Sequence, residues 1–362
     1  MAESAWETGD PGLIFLDRIN RDNPTPALGR ITATNPCGEV PLLPYEACVL
    51  GSINLASLST RGVFDWARFE LLTDLGIRFL DECIDASLFP LPQITTAVRR
   101  SRKIGLGVMG FADALIDLGI AYDDDSAIRF ADELMTRMEA RATDASRRLA
   151  MERGPYPDFP ESRDGKAGAP RVRNATRLAI APTGTLSLIA GCSSGIEPLF
   201  AVMFERHVLD GRQLVEVNAR FETMAMREGV WSPEVRSKVL ESGRARHLTE
   251  LPLAQRRLFP TAHEIPVEHQ LRVQAAFQAH VDNAVSKTIN LPAEATVSNV
   301  LEAYRRAYTL GCKGITVYRH GAKSGQVLTP VRQSSVCPDC LSALEFAEGA
   351  TLCRVCGFSS TS

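Results

Sequence analysis

A parallel α/β fold is what this sequence predicts, and three observations predict it. Short apolar runs of strand length alternate with segments of helical periodicity along most of the 362 residues. Apolar residues make up 45% of the chain, enough for a sizeable core. Glycine and proline fall between the periodic segments and punctuate them.

Taken in order, residues 1–60 are rich in Pro, Gly and Asn and read as loop with short extended pieces. Residues 65–87, "DWARFELLTDLGIRFLDECIDAS", place Trp66, Phe69, Leu72, Leu75, Phe79 and Leu80 at helical spacing. "KIGLGVMG" (103–110) is a short apolar run broken by glycines, and a helix follows over 111–118. A long amphipathic helix is expected over 126–152, stopped by Gly154 and Pro155. "RLAIAPTGTLSLIAG" (177–191) reads as strand, turn and helix start. Residues 207–260 are charged and read as mostly helical, and a helix follows over 267–282. "SKTINLP" (286–292) is extended, 297–310 helical, and "GITVYR" (314–319) a buried strand. The division expected is one α/β unit over 1–320, a polar linker over 321–336 and a Cys-rich tail over 337–362.

A net charge of −3 with no long run of one sign argues against non-specific nucleic-acid binding and a membrane-surface patch. No apolar stretch approaches the ~18 residues that span a bilayer. The N-terminal "MAESAWETGDPG" lacks the pattern of a secretory signal. Nine cysteines in such a chain do not form a disulfide scaffold, so a reducing cytoplasm is the expected setting.

"NPCGEVPLLPYEAC" (35–48) carries an amide, a thiol, a carboxylate and a second thiol between prolines and a glycine. In an extended chain Asn35, Cys37 and Glu39 would face one side. Pro36 biases Asn35 toward extended geometry, and Gly38 lets a ligand approach the backbone. A carboxylate for proton transfer, an amide to orient a hydroxyl and a sulfur between them make a reactive constellation. On spacing alone an ordinary turn, with Asn35 capping the backbone and Cys37 buried, stands equally open.

"NPCGE" followed by "CVLGSINL" resembles the large catalytic chain of ribonucleotide reductases, and "TGDPGLIFLDRINRDNP" before it fits the adenosylcobalamin-dependent, class II members. The resemblance continues in family order through "RKIGLGVMGFADALIDLGIAY", "RNATRLAIAPTGTLSLIAGCSSGIEPLFA", "DNAVSKTINLP" and "GCKGITVYRHG". It implies the second half of a ten-stranded α/β barrel, with residues 34–48 as the finger loop. It also implies thiyl-radical reduction of ribonucleotides, diphosphates being favoured, to 2′-deoxyribonucleotides. Cys37 would be the radical cysteine that takes the 3′ hydrogen, Glu39 the base at the 3′ hydroxyl, and Asn35 its orienter. Cys48 would be one member of the dithiol oxidised as the 2′ hydroxyl leaves. Adenosylcobalamin is the implied cofactor and a thioredoxin-like protein the implied reductant.

"APTGTLSL" (181–188) sets hydroxyls where an extended segment meets a helix start, which suits a phosphate, although on these residues alone simple helix capping is the stronger reading. The resemblance makes Pro182, Thr183, Gly184, Thr185 and Ser187 substrate-binding. In the tail, Cys337, Cys340, Cys353 and Cys356 form two C-x2-C pairs separated by 12 residues, a four-cysteine pattern like that of a zinc ribbon. Two redox dithiols are the competing reading. Many class II relatives carry a further cysteine after the last pair, and its absence from "CGFSSTS" weakens the redox reading, while the spacing favours structural zinc. Cys83, Cys192 and Cys312 read as packed, Lys287 and Arg319 as ion-paired or solvated, and Tyr318 as core.

The chain begins just before the finger loop. The resemblance therefore implies that the first half of the barrel, and the cysteine that pairs with Cys48, come from another polypeptide or were lost by truncation. Three readings follow: a split class II reductase inactive alone, a fragment that only binds nucleotide or zinc, or a related glycyl-radical enzyme using Gly357. The upstream motifs fit the first best.

Overall fold

The structure is a computed structural model that describes residues 1–207, 213–322, 328–329, 337, 345–347, 350–353 and 355–361. Two compact units emerge. One comprises residues 1–197 and 266–322, the other residues 198–265 and 323–362. The single unit expected over 1–320 is thus divided, because 198–265 builds its own core and joins the tail.

The first unit is a run of five parallel extended segments. Val49–Asn54 pairs with Ile104–Met109 in the register Val49 to Ile104. Leu106 bridges Leu178, and Ile180 bridges Val285, both parallel. Thr288–Leu291 then pairs in parallel with Gly314–Arg319. Leu13–Ile14 closes the far edge antiparallel. Asn283 stitches the middle: its Nδ2 donates to the carbonyls of Ile104 (3.2 Å) and Leu178 (3.0 Å). Among the described residues Val49–Asn54 pairs only with Ile104–Met109, which leaves a sheet edge open.

Helices cover this sheet. Trp66–Ala86 starts where the Asp65 side chain accepts the Arg68 N–H, and Asp125–Arg153 where Asp124 accepts that of Ser126. The first helix lies where its spacing predicts, but with a different buried face. Phe69, Thr73, Ile77, Leu80 and Ile84 are buried, whereas Leu75 and Phe79, expected on the apolar face, are exposed with Leu71. Gly76 sets this orientation: a Cβ there would lie 2.8 Å from Leu106 Cδ2, so the glycine face rests on the sheet. The two helices are joined by ion pairs, Asp74 with Arg141 and Arg148, and Arg78 with Glu152. Exposed pairs of this kind contribute about 0–1 kcal/mol each.

Ahead of the second sheet segment, Pro92–Ser101 is helical and ends at Arg102 in a left-handed conformation, φ 46°. The Arg102 guanidinium is buried between Asp81 (2.8 Å) and Asp85 (2.9 Å). Val267–Gln278 and Val297–Thr309 are the last two helices of this unit. The strand Gly314–Arg319 alternates in burial rather than being buried throughout.

In the second unit, residues expected to be helical begin with a hairpin. Met203–His207 pairs antiparallel with Gln213–Val217, and Leu328–Thr329 joins beside Met203–His207. Ala219–Arg227 and Pro233–Ser242 follow, capped by Asn218 and Ser232. The tail is a three-stranded antiparallel meander of Glu345–Ala347, Ala350–Leu352 and Ser359–Thr361.

Candidate active site

Ala33–Thr34 and Pro41–Leu42 pair antiparallel, so residues 35–40 are the tip of a hairpin. The extended geometry expected for Asn35, Cys37 and Glu39 is not what forms. Asn35 Oδ1 accepts the Val40 N–H at 3.0 Å, and its carbonyl accepts the Gly38 N–H at 3.0 Å. Gly38 turns the chain at φ 82°. An Asn that satisfies its own backbone, followed by Pro and Gly, makes a turn rather than a strand. Among the described residues Nδ2 of Asn35 bonds nothing, which leaves both N–H groups of the amide to offer.

The turn brings the reactive groups together by a different route. Cys37 is exposed, and a Cβ on Gly38 would meet nothing within 4 Å, so open space adjoins the thiol. Glu39 is turned inward and only 2% exposed. Its carbonyl accepts the Ala284 N–H at 2.8 Å, and its Oε2 is buried without a hydrogen-bond partner among the described residues. A buried, unsatisfied carboxylate oxygen is costly and marks an atom awaiting a donor. Burial, with the Glu39 charge beside it, pushes the Cys37 thiol up from its ordinary range.

Cys48 immediately precedes Val49–Asn54 and is half-buried. Burial pushes its thiol up to about 12; Lys103 opposes this, and Glu39 and Glu46 add to it. Glu39 thus acts on both thiols. Gly105 makes the space: a Cβ there would lie 2.6 Å from Leu50 Cδ2, 2.8 Å from Ala179 Cβ and 3.5 Å from Cys48 Sγ. Two residues that sequence reasoning missed stand here. Lys103 is completely buried and pairs with the buried Glu46 at 2.5 Å. A lysine leading directly into an apolar strand, and a glutamate two residues before Cys48, were the available signals.

The second predicted loop is only partly arranged as expected. Thr183 sits at φ 57°, a left-handed position unusual for a β-branched residue, and its Oγ1 accepts the Gly195 N–H at 2.8 Å. Gly184 and Thr185 are exposed at the start of the short Gly184–Ala190 helix, and Pro182 is half-buried. Ser187 is turned inward, with its hydroxyl on Gly184 O (3.1 Å) and Ser194 Oγ (2.8 Å). It shapes the loop rather than facing outward.

Lys287 is ion-paired to Glu197 at 2.8 Å, and the other Glu197 oxygen accepts the Thr288 N–H at 2.6 Å. Arg319 lies over the Trp6 ring at 4.2 Å. Cys312 is buried and its thiol pushed up to about 12 by burial, while Cys83 and Cys192 are half-buried.

In the second unit, the sulfurs of Cys337, Cys353 and Cys356 lie within 4.8 Å of one another, with Cys337 Sγ 3.4 Å from Cys356 Sγ. Cys337 and Cys353 are buried. Three converging thiols suit a tetrahedral ion with Zn–S bonds of ~2.3 Å. Cys340, the fourth expected ligand, lies outside the described residues. No helix among the described residues is long and apolar enough to cross a membrane.

A parallel α/β sheet carrying a cysteine–carboxylate hairpin, with a second thiol at the head of its edge strand, defines an α/β unit that presents two thiols and a buried carboxylate along one sheet edge. A family profile described as "Ribonucleotide reductase, barrel domain" matches residues 1–170 and 166–318, and the chain belongs to that family. A vitamin B12-dependent ribonucleoside-diphosphate reductase of Mycobacterium tuberculosis is 52% identical over 91% of this chain and 47% of its own length. One from Thermoplasma acidophilum is 48% identical over 90% of this chain and 42% of its own. The class Id ribonucleotide reductase alpha subunit of Actinobacillus ureae superposes with a TM-score of 0.75 at 25% identity, covering 88% of this chain and 60% of that one. The chain spans about half the length of these curated relatives.

Proposed function

We propose that this chain is the finger-loop half of a vitamin B12-dependent ribonucleoside-diphosphate reductase and works together with the N-terminal half of that fold. One observation carries the reading: the buried, unpartnered Glu39 Oε2 stands beside the exposed Cys37 thiol on a hairpin tip with clear space around it. Adenosylcobalamin, when bound, supplies the radical that removes the hydrogen of the Cys37 thiol; the exposed sulfur and the space at Gly38 fit that approach.

Cys37 then takes the 3′ hydrogen of the ribose. Glu39 accepts the 3′ hydroxyl proton, satisfying its orphan oxygen, and the free Nδ2 of Asn35 orients that hydroxyl. Cys48 and a cysteine of the other half give two electrons and two protons; the 2′ hydroxyl leaves as water and the two sulfurs join as a disulfide, after which Glu39 returns the proton to the 3′ oxygen and Cys37 returns the hydrogen to C3′. The raised thiols of Cys37 and Cys48 keep both protonated near neutral pH, so each holds a hydrogen to give. A dithiol of thioredoxin type resets the disulfide. Gly184 and Thr185, with Pro182 and Thr183 behind them, receive the diphosphate, and Ser187 braces their loop. The cysteines of the tail, Cys340 included, hold structural zinc.

The test is complementation. This chain alone, with adenosylcobalamin, a ribonucleoside diphosphate and dithiothreitol, gives no product; adding the N-terminal half of a relative restores it. Turnover by the lone chain would overturn the proposed need for a second half.

A further inference from the structure

Of the buried charged residues that take no part in the proposed reaction, Lys103 is the one whose charge reaches Cys48. Lys103 has no exposed surface, yet lies on no route assigned to substrate. It directly precedes Ile104, as Cys48 directly precedes Val49, and Ile104 and Val49 are register partners. The two side chains therefore start from neighbouring positions across a parallel ladder. On the other side, Nζ of Lys103 meets Glu46 Oε2 at 2.5 Å, and the same oxygen accepts the Leu43 N–H at 2.8 Å. The Glu46 N–H donates back to the Leu43 carbonyl at 3.1 Å, closing the turn that delivers Cys48. The buried Arg102 anchors the chain just before Lys103.

Closing a turn does not require a desolvated ion pair; an amide would do so at lower cost. The charge acts on what lies beside it. The charged groups that reach Cys48 are Glu39 from the hairpin, Glu46 from its own turn and Lys103 from the adjacent strand, and only Lys103 favours the thiolate.

We propose that Lys103, held in place by Glu46, is a positioning residue for Cys48 that stabilises the thiolate Cys48 becomes as it leaves in thiol–disulfide exchange with a dithiol reductant. The proposal rests on the reading of Cys48 as a redox thiol. In the exchange, a reductant thiolate attacks the partner sulfur of the Cys48 disulfide. The S–S bond breaks, and Cys48 leaves as a thiolate beside the Lys103 ammonium before water protonates it. The second reductant thiol then attacks the mixed disulfide and releases the other cysteine as a thiolate, which water also protonates. The two electrons come from the dithiol, which ends as a disulfide.

The experiment uses the full chain and needs no turnover. Iodoacetamide labelling is followed at Cys48 by peptide mass spectrometry across a pH series, with Cys37 on the same loop as the reference, since Lys103 does not act on it. The variants are K103M, K103R and K103M/E46Q. Below the thiol's pKa the labelling rate tracks the thiolate fraction. Unmodified chain and K103R are expected to label alike. K103M is expected to fall roughly tenfold, one unit of pKa. K103M/E46Q is expected to lie between them, because it also removes the opposing carboxylate. In each case Cys37 stays unchanged. If K103M fails to fold, the charge-free double variant carries the comparison. Equal labelling of Cys48 in the unmodified chain and K103M/E46Q, or a parallel change at Cys37, would overturn the proposal. Either result leaves the complementation test of the function untouched.

Discussion

The backbone N–H of Ala284 donates to the carbonyl of Glu39 at 2.8 Å. That bond pins the hairpin tip to the fourth segment of the sheet and holds Glu39 buried, where its charge acts on both Cys37 and Cys48. A flexible loop would leave the acid in solvent, where it would neither lack a partner nor act on Cys48.

Glu39→Gln removes a negative charge that raises both Cys37 and Cys48. Each thiol should ionise more readily, and labelling of both by iodoacetamide at fixed pH should rise roughly two- to tenfold. The buried Cys312 serves as the reference. A rise at one thiol only would show that Glu39 does not act on both.

Glycine substitutions should rank by what a Cβ meets. At Gly107 it would lie 2.1 Å from the Ala179 carbonyl, a backbone atom that cannot move aside, whereas at Gly105 it meets side chains. Gly107→Ala should lose more stability than Gly105→Ala, with losses of about 1–3 kcal/mol or more in denaturant unfolding. Gly184→Ala, where nothing lies within 4 Å, should stay within about 0.5 kcal/mol. A different order would contradict the packing of the first three sheet segments.

His280 tests the joining of helices by pH. Its Nδ1 faces Glu139 at 2.9 Å and its Nε2 faces Asp132 at 3.1 Å. Burial pulls its pKa down, but the two carboxylates outweigh burial and raise it above 6.5. A folded value above the unfolded one stabilises fully below the unfolded pKa, and the gain is lost as pH rises through the folded pKa. Melting temperatures of the unmodified chain and His280→Gln should therefore differ most near pH ~5.5 and converge toward pH ~9. A gap that widened with pH would reverse the sign.

The tail should carry about one zinc per chain, lost in Cys337→Ser and Cys353→Ser and on chelation. Elemental analysis of the purified chain reads this directly. Metal-free protein whose tail cysteines cycle between thiols and disulfides would instead favour redox dithiols.

Much of the fold was legible where one physical signal dominated. The Asp125–Arg153 helix declared itself through periodicity and a terminal glycine, and the parallel strands through short apolar runs between helices. Pairing of the tail cysteines was legible from spacing, and three of those sulfurs converge. The finger loop was legible in its residues but not its shape: local turn chemistry at Asn35, Pro36 and Gly38 overrode the extended reading. The exposed Leu75 and Phe79 were misplaced because spacing gives a helix an apolar stripe but not its facing, which Gly76 fixes through contact with Leu106. The Lys103–Glu46 pair joins residues 57 apart in sequence: each residue stood out locally, but no local pattern announces that they pair.

The most direct measurement of the central claim follows product formation by this chain complemented with an N-terminal half, using 3′-deuterated ribonucleoside diphosphate and a Cys37→Ser variant. The account predicts slower turnover on the deuterated substrate and none with Cys37→Ser, while the variant keeps its fold. Deoxyribonucleotide formed by Cys37→Ser at the unmodified rate would contradict it.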